Sequence, residues 1–363
     1  MYHKSQEEKE LILKLMGEVY DNKFWSLGEK TKEAERLCKE KIFHGQKEVL
    51  MTNDGTHALE LCLRDINVQN RVVLLPVMTV PMIAWAVKRA GGTPVYVDVD
   101  YHLQMDFDHL KLRYEQYGDR IGAVILVHTG GLIHPQIFEI VEFLRERGIP
   151  MIEDMSHAQL SYLEVESDLP TYGGDPNTFK HYAGTFGDYA AFSMYATKVL
   201  SVGEGGFAAK RGDITSMKVI RNQGKNEKQE WVREGYNFRP NEWTACVAIG
   251  KLMFIEREIE HRKRMAKIYE DELAITPLHK GKMDYKEMTM RPSFYKYILP
   301  ISERNEKYLT YKSGAVHREL LERNDEFGYD YQQARRVSKH HICLTLEDEE
   351  KVRKTIKELK KHL

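Results

Sequence analysis

Short apolar runs alternate with helix-forming stretches from residue 48 onward, and this alternation limits the possible folds more than any other feature. Residues 48–52, 71–75 (closed by Pro76), 94–99, 123–127 and 151–154 each read as a short strand. Between them lie a helix starting at His57, with Thr56 or Asn53 available as its cap, a helix at 81–90, and an amphipathic helix at 136–148. Strands separated by helices at this spacing imply an α/β fold with a mostly parallel sheet covered on both faces.

Around this unit, residues 5–45 read as helical, with a break near Trp25 and Gly28. Further strands are expected ending at Phe192 and over 206–210, whereas 162–186, rich in Gly, Pro and Thr, reads as an irregular surface excursion. A long helix is expected over 242–269, apolar at Ala245, Ile249, Leu252 and Ile255, leading to a smaller unit with a strand at 295–299 and a helix at 347–362. The expected division is a large domain at 1–255, including the N-terminal helical segment, and a small C-terminal α/β domain at 256–363.

Lys plus Arg (54) nearly balance Asp plus Glu (55), so no strong field invites nucleic acid or an acidic membrane surface. No apolar run reaches the roughly 18–20 residues that span a bilayer, and the polar, acid-bearing N-terminus argues against secretory or mitochondrial targeting. A cytoplasmic location is the expectation. Cys38, Cys62, Cys246 and Cys343 are widely spaced, so buried free thiols are expected rather than disulfides or a zinc site. His340-His341 is expected in an exposed loop or at a strand end, and no metal is expected.

Four groups fall at carboxyl ends of the expected strands, where open α/β sheets bind ligands. Gly55-Thr56 opens a helix, so its backbone N–H groups and hydroxyl suit a phosphate. Asp154 ends a strand and His157 follows three residues later; alone, Asp154 reads as a helix N-cap and His157 as a satisfied helix histidine. Ser193 and Lys198 follow the strand ending at Phe192, with Gly203-Glu204-Gly205-Gly206 just beyond. A phosphate cradle, a carboxylate, an imidazole and an amine on one rim are what pyridoxal phosphate requires. Its phosphate needs donors, its pyridine nitrogen a carboxylate, and its aldehyde a lysine able to form a Schiff base.

The ordered motifs go further. They are Asn53-Asp54-Gly55-Thr56-His57-Ala58-Leu59, Pro76-Val77-Met78-Thr79, Gly92-Thr93-Pro94-Val95-Tyr96-Val97-Asp98, Val127-His128 and Ile152-Glu153-Asp154-Met155-Ser156-His157. Phe192-Ser193-Met194-Tyr195-Ala196-Thr197-Lys198, Arg221-Asn222-Gln223-Gly224 and Gly235-Tyr236-Asn237-Phe238-Arg239 complete them. Through nearly its whole length the chain resembles the DegT/DnrJ/EryC1/StrS family of sugar aminotransferases, a branch of the fold-type I enzymes that use pyridoxal 5'-phosphate. The resemblance implies a three-layer sandwich like that of aspartate aminotransferase, with a smaller C-terminal α/β domain.

It also implies roles. Lys198 holds the cofactor and shuttles the proton; Asp154 pairs with the pyridine nitrogen; His157 lies near the phenolic oxygen. Gly55, Thr56 and Ser193 hold the phosphate, and Asn237 reaches the phosphate of the neighbouring subunit in a homodimer. Arg239, Tyr195 and Tyr162 are candidates for substrate contact. The implied reaction moves an amino group, with glutamate as donor, onto a nucleotide-activated keto-sugar. A smaller keto substrate (a keto-cyclitol or a phosphorylated keto-triose) is the alternative. A sugar 3-dehydratase is disfavoured, because those relatives replace the lysine that this chain keeps at 198. Two departures stand out. Val80 follows Thr79 where the family carries an aromatic residue, leaving Tyr162 or Tyr195 to stand in. The stretch 164–186 lacks the family's compact Gly-containing pattern.

Overall fold

The computed structural model describes residues 5–165, 174–175, 179–280, 288–300 and 330–361. Two helices lead, α1 (Gln6–Asn22) and α2 (Glu29–Lys41), followed by β1 (Glu48–Thr52), α3 (Gly55–Ile66), β2 (Val72–Pro76), α4 (Pro81–Arg89) and β3 (Thr93–Val97). The chain continues through α5 (Phe107–Tyr117), β4 (Ile121–Val127), α6 (Ile137–Glu146) and β5 (Met151–Asp154). Three short strands come next, β6 (Tyr162–Val165), β7 (Gly174–Asp175) and β8 (Lys180–Tyr182), then β9 (Tyr189–Ser193) and β10 (Gly206–Lys210). Helices α7 (Thr215–Arg221), α8 (Glu242–Met253) and α9 (Ile255–Glu272) precede β11 (Met288–Arg291), β12 (Tyr297–Pro300) and β13 (His341–Leu344).

Seven strands form the central sheet in the order β1-β10-β9-β5-β4-β2-β3. Only β10 runs antiparallel to its neighbours, so the sheet is mostly parallel, as expected. Successive side chains of a strand face opposite sides, and the cores record it. Val72, Leu74, Val124, Leu126, Phe192 and Phe207 join one cluster, with α2, α5, α6 and α8. Val73, Leu75, Ala123, Ile125, Ala191 and Ala208 join the other, with α3, α4 and α7. Both faces are covered, which gives the three layers. Burying a side chain such as Phe207 or Leu74 contributes about 2 kcal/mol, so the alternation is strongly specified.

The C-terminal part has its own core. Tyr297 and Leu299 of β12 and Ile342 and Leu344 of β13 pack with α9 and the helix Glu349–Leu359. Ile298 and Cys343, on the other face of this two-stranded sheet, join the large core instead. Asp98 fastens the same region from the large sheet, its carboxylate accepting the Ala334 N–H at 2.9 Å.

Several expectations need correction. The 162–186 stretch is not an irregular excursion where it is described: β6, β7 and β8 form a four-stranded sheet with β11, ordered β11-β6-β8-β7. Its partner strand is remote; the Arg291–Glu164 ion pair on it spans 127 residues of chain. Of the Tyr172–Pro176 run only 174–175 lie within the described residues. The expected helix at 242–269 is broken, because Phe254 (φ −115°, ψ 15°) leaves helical geometry between α8 and α9. Helix α3 starts at Gly55, and neither Thr56 nor Asn53 caps it: the Asp54 side chain accepts the His57 N–H at 2.8 Å. His341 is buried at the start of β13, so it is at a strand end but not exposed. All four cysteines are buried free thiols.

Candidate active site

The carboxyl ends of β5 and β9 and the start of α3 meet around a cavity of about 550 Å³. Gly55 and Thr56 from α3, Asp154 and His157 after β5, and Ser193, Tyr195 and Lys198 after β9 all line it. A larger cleft of about 750 Å³, bordered by Asp65, Arg145, Lys210 and Arg211, opens near the other ends of β5 and β9 and holds none of the expected site residues. The chemistry is in the smaller one.

Close backbone approach builds the phosphate end. A Cβ on Gly55 would lie 2.5 Å from the Ser193 Cβ and 2.6 Å from its Cα, so only glycine lets α3 begin against β9. Gly206 does the same across the sheet, where a Cβ would meet the Asp54 carbonyl oxygen at 2.5 Å. The first turn of α3 has N–H groups without intrahelical acceptors; the Asp54 carboxylate takes that of His57 and draws on that of Thr56 at the edge of the cradle. Ser193 is fixed beside it: its N–H donates to Ser156 Oγ at 3.0 Å, and its Oγ accepts the Tyr195 N–H at 3.1 Å.

Asp154 caps no helix, because none follows β5; its Oδ1 accepts the Ser156 N–H at 2.9 Å. His157 is likewise in a turn rather than a helix. Its Nδ1 accepts the Gly130 N–H at 3.3 Å, which leaves Nε2 to carry the proton in the neutral ring. Behind Asp154, on the opposite face of β5, Glu153 accepts from His128 Nε2 (2.8 Å) and from the Gly184 and Gly187 N–H groups (2.7 Å each). Burial would raise this carboxyl, but its hydrogen bonds, with His128 foremost, hold it below the usual range. The strand that presents Asp154 is thereby locked.

The Lys198 ammonium is pushed down to about 8, chiefly by burial; the Asp154 carboxylate opposes the fall and the Lys296 ammonium adds to it. A substantial neutral fraction near neutral pH is what a nucleophilic lysine needs. At the rim, burial would raise Asp54, but hydrogen bonds from the His57 ring and backbone outweigh it and lower the carboxyl.

Three of the expected residues do not line the cavity. Tyr162, on β6, packs against Tyr182 with ring centroids 5.2 Å apart. Asn237 and Arg239 lie outside on the protein surface loop, where Arg239 Nε donates to Asn237 Oδ1 at 2.9 Å. Asn237 does not cap α8 either; Asn241 does, accepting the Thr244 N–H at 2.8 Å. The sequence reading missed Tyr295. Its ring stacks on His157 (4.1 Å, 7° between planes), and Lys198 Nζ lies 5.0 Å from its centroid. No local signal marks it, since it comes from a segment about a hundred residues beyond Lys198. Val80 stands at the N-terminus of α4 and lines the cavity, so no aromatic follows Thr79 there.

Residues 6–349 match the sequence profile of the DegT/DnrJ/EryC1/StrS aminotransferase family. The chain belongs to that family. Among curated relatives of this DegT/DnrJ/EryC1/StrS member, a UDP-4-amino-4,6-dideoxy-N-acetyl-beta-L-altrosamine transaminase from Campylobacter jejuni is 26% identical over 69% of this chain and 63% of its own length. A GDP-perosamine synthase from Escherichia coli O157:H7 is 27% identical over 64% of this chain and 60% of that protein. These alignments thus span less than two thirds of either relative. In fold, a DegT DnrJ EryC1 StrS aminotransferase from Brucella abortus superposes with a TM-score of 0.81 at 22% identity, covering 98% of this chain and 96% of that one. Helicobacter pylori PseC, an aminotransferase involved in the biosynthesis of pseudoaminic acid, gives 0.79 at 20% identity, with coverage of 99% and 97%. The fold is that of the fold-type I enzymes.

The residues present fit pyridoxal 5'-phosphate. The glycine-opened start of α3 with Ser193 suits the phosphate, Asp154 suits a protonated ring nitrogen, and Lys198 supplies an amine with depressed basicity.

Proposed function

We propose that this family member is a pyridoxal-phosphate-dependent aminotransferase that moves an amino group from glutamate onto the keto group of a nucleotide-activated sugar. The observation that carries the reading is a single cavity in which a lysine of lowered pKa and a strand-end carboxylate face a glycine-opened helix start. The names of the Campylobacter and Escherichia relatives, transaminase and synthase of UDP- and GDP-linked amino sugars, support the substrate class.

When bound, the cofactor supplies an aldehyde that accepts the amino group and a ring that withdraws electrons from the substrate carbon. The chain's residues do the rest. Lys198 Nζ would hold the cofactor's aldehyde carbon and would serve as the base that carries the proton leaving the substrate carbon. Asp154 keeps a proton on the ring nitrogen through a charge-assisted hydrogen bond. His157, which accepts the Gly130 N–H at Nδ1, would support the phenolic oxygen of the cofactor from the cavity wall. Gly55, Thr56 and Ser193 hold the phosphate.

The functional unit in this reading is a cytoplasmic homodimer with shared sites, Asn237 reaching the partner's phosphate. Its support is that Asn237 is exposed while the adjacent Phe238 is buried against His57, with ring centroids 4.4 Å apart, at the edge of the cradle. No described helix is long and apolar enough to cross a membrane.

Purified protein loaded with pyridoxal phosphate is expected to be yellow, and borohydride to fix the cofactor on a peptide containing Lys198. Recovery of the label on another lysine would remove the site assignment. Nucleotide keto-sugars are then expected to restore the aldehyde-form spectrum from the amino form. If only keto-cyclitols or a phosphorylated keto-triose do so, the substrate class changes while the chemistry stands.

A further inference from the structure

Lys296 enters the active-site region beside Tyr295, from outside the motifs that mark the family. The Tyr295 ring is the shared surface: His157 stacks on it, Lys198 Nζ lies 5.0 Å from its centroid and Lys296 Nζ 5.4 Å. Those two distances bound the separation of the amines at about 10 Å. The Lys296 charge is felt at the site, since it contributes to the lowered basicity of Lys198.

Among the described residues, three other cations of this region are paired with acids. Arg262 pairs with Glu258 at 2.6 Å, Arg291 with Glu164 at 2.8 Å, and Arg89, on the cavity wall, with Glu60 at 2.7 Å. Lys296 is partly buried and, among the described residues, has no carboxylate partner; its ammonium rests on the Tyr295 ring. Two ammonium groups on one aromatic ring give this end of the site a local positive charge that an arriving anion neutralises. Of the acids lining the cavity, Asp54 is paired with the ring and backbone N–H of His57, Asp154 is committed to the cofactor ring in the proposed function, and Glu204 is exposed at the rim.

We propose that Lys296 is an anion-recognition residue of this pocket, placed by Tyr295 to receive an acidic group of a substrate. The proposal rests on the aminotransferase reading, in which both substrates are acidic: the amino donor carries carboxylates and the nucleotide sugar a diphosphate. A compact ammonium suits either as a point charge. Docking of the anion also screens Lys296 from Lys198, so substrate arrival and the proton balance of the nucleophile are coupled.

The test is calorimetric titration of the cofactor-loaded protein with two probes, glutarate for the donor carboxylates and UDP for the diphosphate. Lys296→Met removes the charge and Lys296→Arg keeps it. The expected result is that one probe binds about tenfold to a hundredfold more weakly to Lys296→Met, while Lys296→Arg stays near wild type. Loss for glutarate assigns the donor, and loss for UDP assigns the nucleotide. Unchanged affinity of Lys296→Met for both probes, or no measurable binding of either by the wild type, overturns the proposal. The parent reading is tested separately, by the spectral change of the wild type with amino donors. Transamination without a Lys296 effect sinks only this proposal; probe binding that depends on Lys296 without any transamination sinks only the parent.

Discussion

Replacing Lys198 by Met should stabilise the cofactor-free protein, and only below a definite pH. The Lys198 ammonium falls from an ordinary 10.5 to about 8 on folding, mainly through burial. Between those values the folded chain binds fewer protons than the unfolded one, so stability rises with pH across that window. Below pH 8 the folded protein carries the full cost of the charged amine; above about 10.5 both states are neutral and the cost is gone. The difference of about 2.5 pH units corresponds to about 3 kcal/mol, and solvent in the open cavity reduces this to roughly 1–3 kcal/mol. Met keeps the stem and removes the amine. The variant is therefore expected to gain roughly 1–3 kcal/mol at pH 7, with the gain shrinking from pH 8 and vanishing near 10.5. Lys47, buried and also pushed down to about 8, is present in both proteins and cancels in the comparison. The assay is urea unfolding of both cofactor-free proteins at a series of pH values. Asp154, Tyr295 and Lys296, which act on the amine, and His157, Tyr195 and Glu204 of the cavity wall are unchanged in the variant. A difference that is flat from pH 6 to 10.5, or a loss of stability at pH 7, would refute the argument that burial sets the basicity of Lys198.

Three further outcomes are expected. Asp154→Asn keeps the shape and removes the charge, and should cost several orders of magnitude in transamination rate with cofactor still bound; a rate within about tenfold, ~1.4 kcal/mol in barrier, would reduce Asp154 to a turn-forming residue. Gly55→Ala drives a methyl into Ser193, within 2.6 Å of its Cα, and should weaken cofactor binding at least about tenfold while lowering the melting temperature; cofactor affinity equal to wild type would remove the close-approach argument. Mixed dimers of Lys198→Ala and Asn237→Ala chains, each inactive alone, should recover activity because one of the two sites is intact. No rescue after verified subunit exchange would leave Asn237 a local surface residue.

What the sequence determined by itself was what short-range rules can carry. The continuous short apolar runs and intervening helices specified a covered, mostly parallel sheet, because a strand apolar at successive positions sends apolar side chains to both faces and both must then be buried. The same rules placed Gly55, Asp154, Ser193 and Lys198 at strand ends, and the structure gathers them around one cavity. Local chemistry was less decisive where several residues competed for a role: Asp54 rather than Thr56 or Asn53 caps α3. Only the tertiary structure decided the β6–β11 pairing, the break at Phe254, and the arrival of Tyr295 and Lys296 beside Lys198. Each depends on contacts between segments distant in the chain, and the free energy of such a contact is set by which surfaces the folded layers bring together. No periodicity within a dozen residues records that, so Tyr295 reads as one more aromatic until the C-terminal sheet packs its other face against the large core.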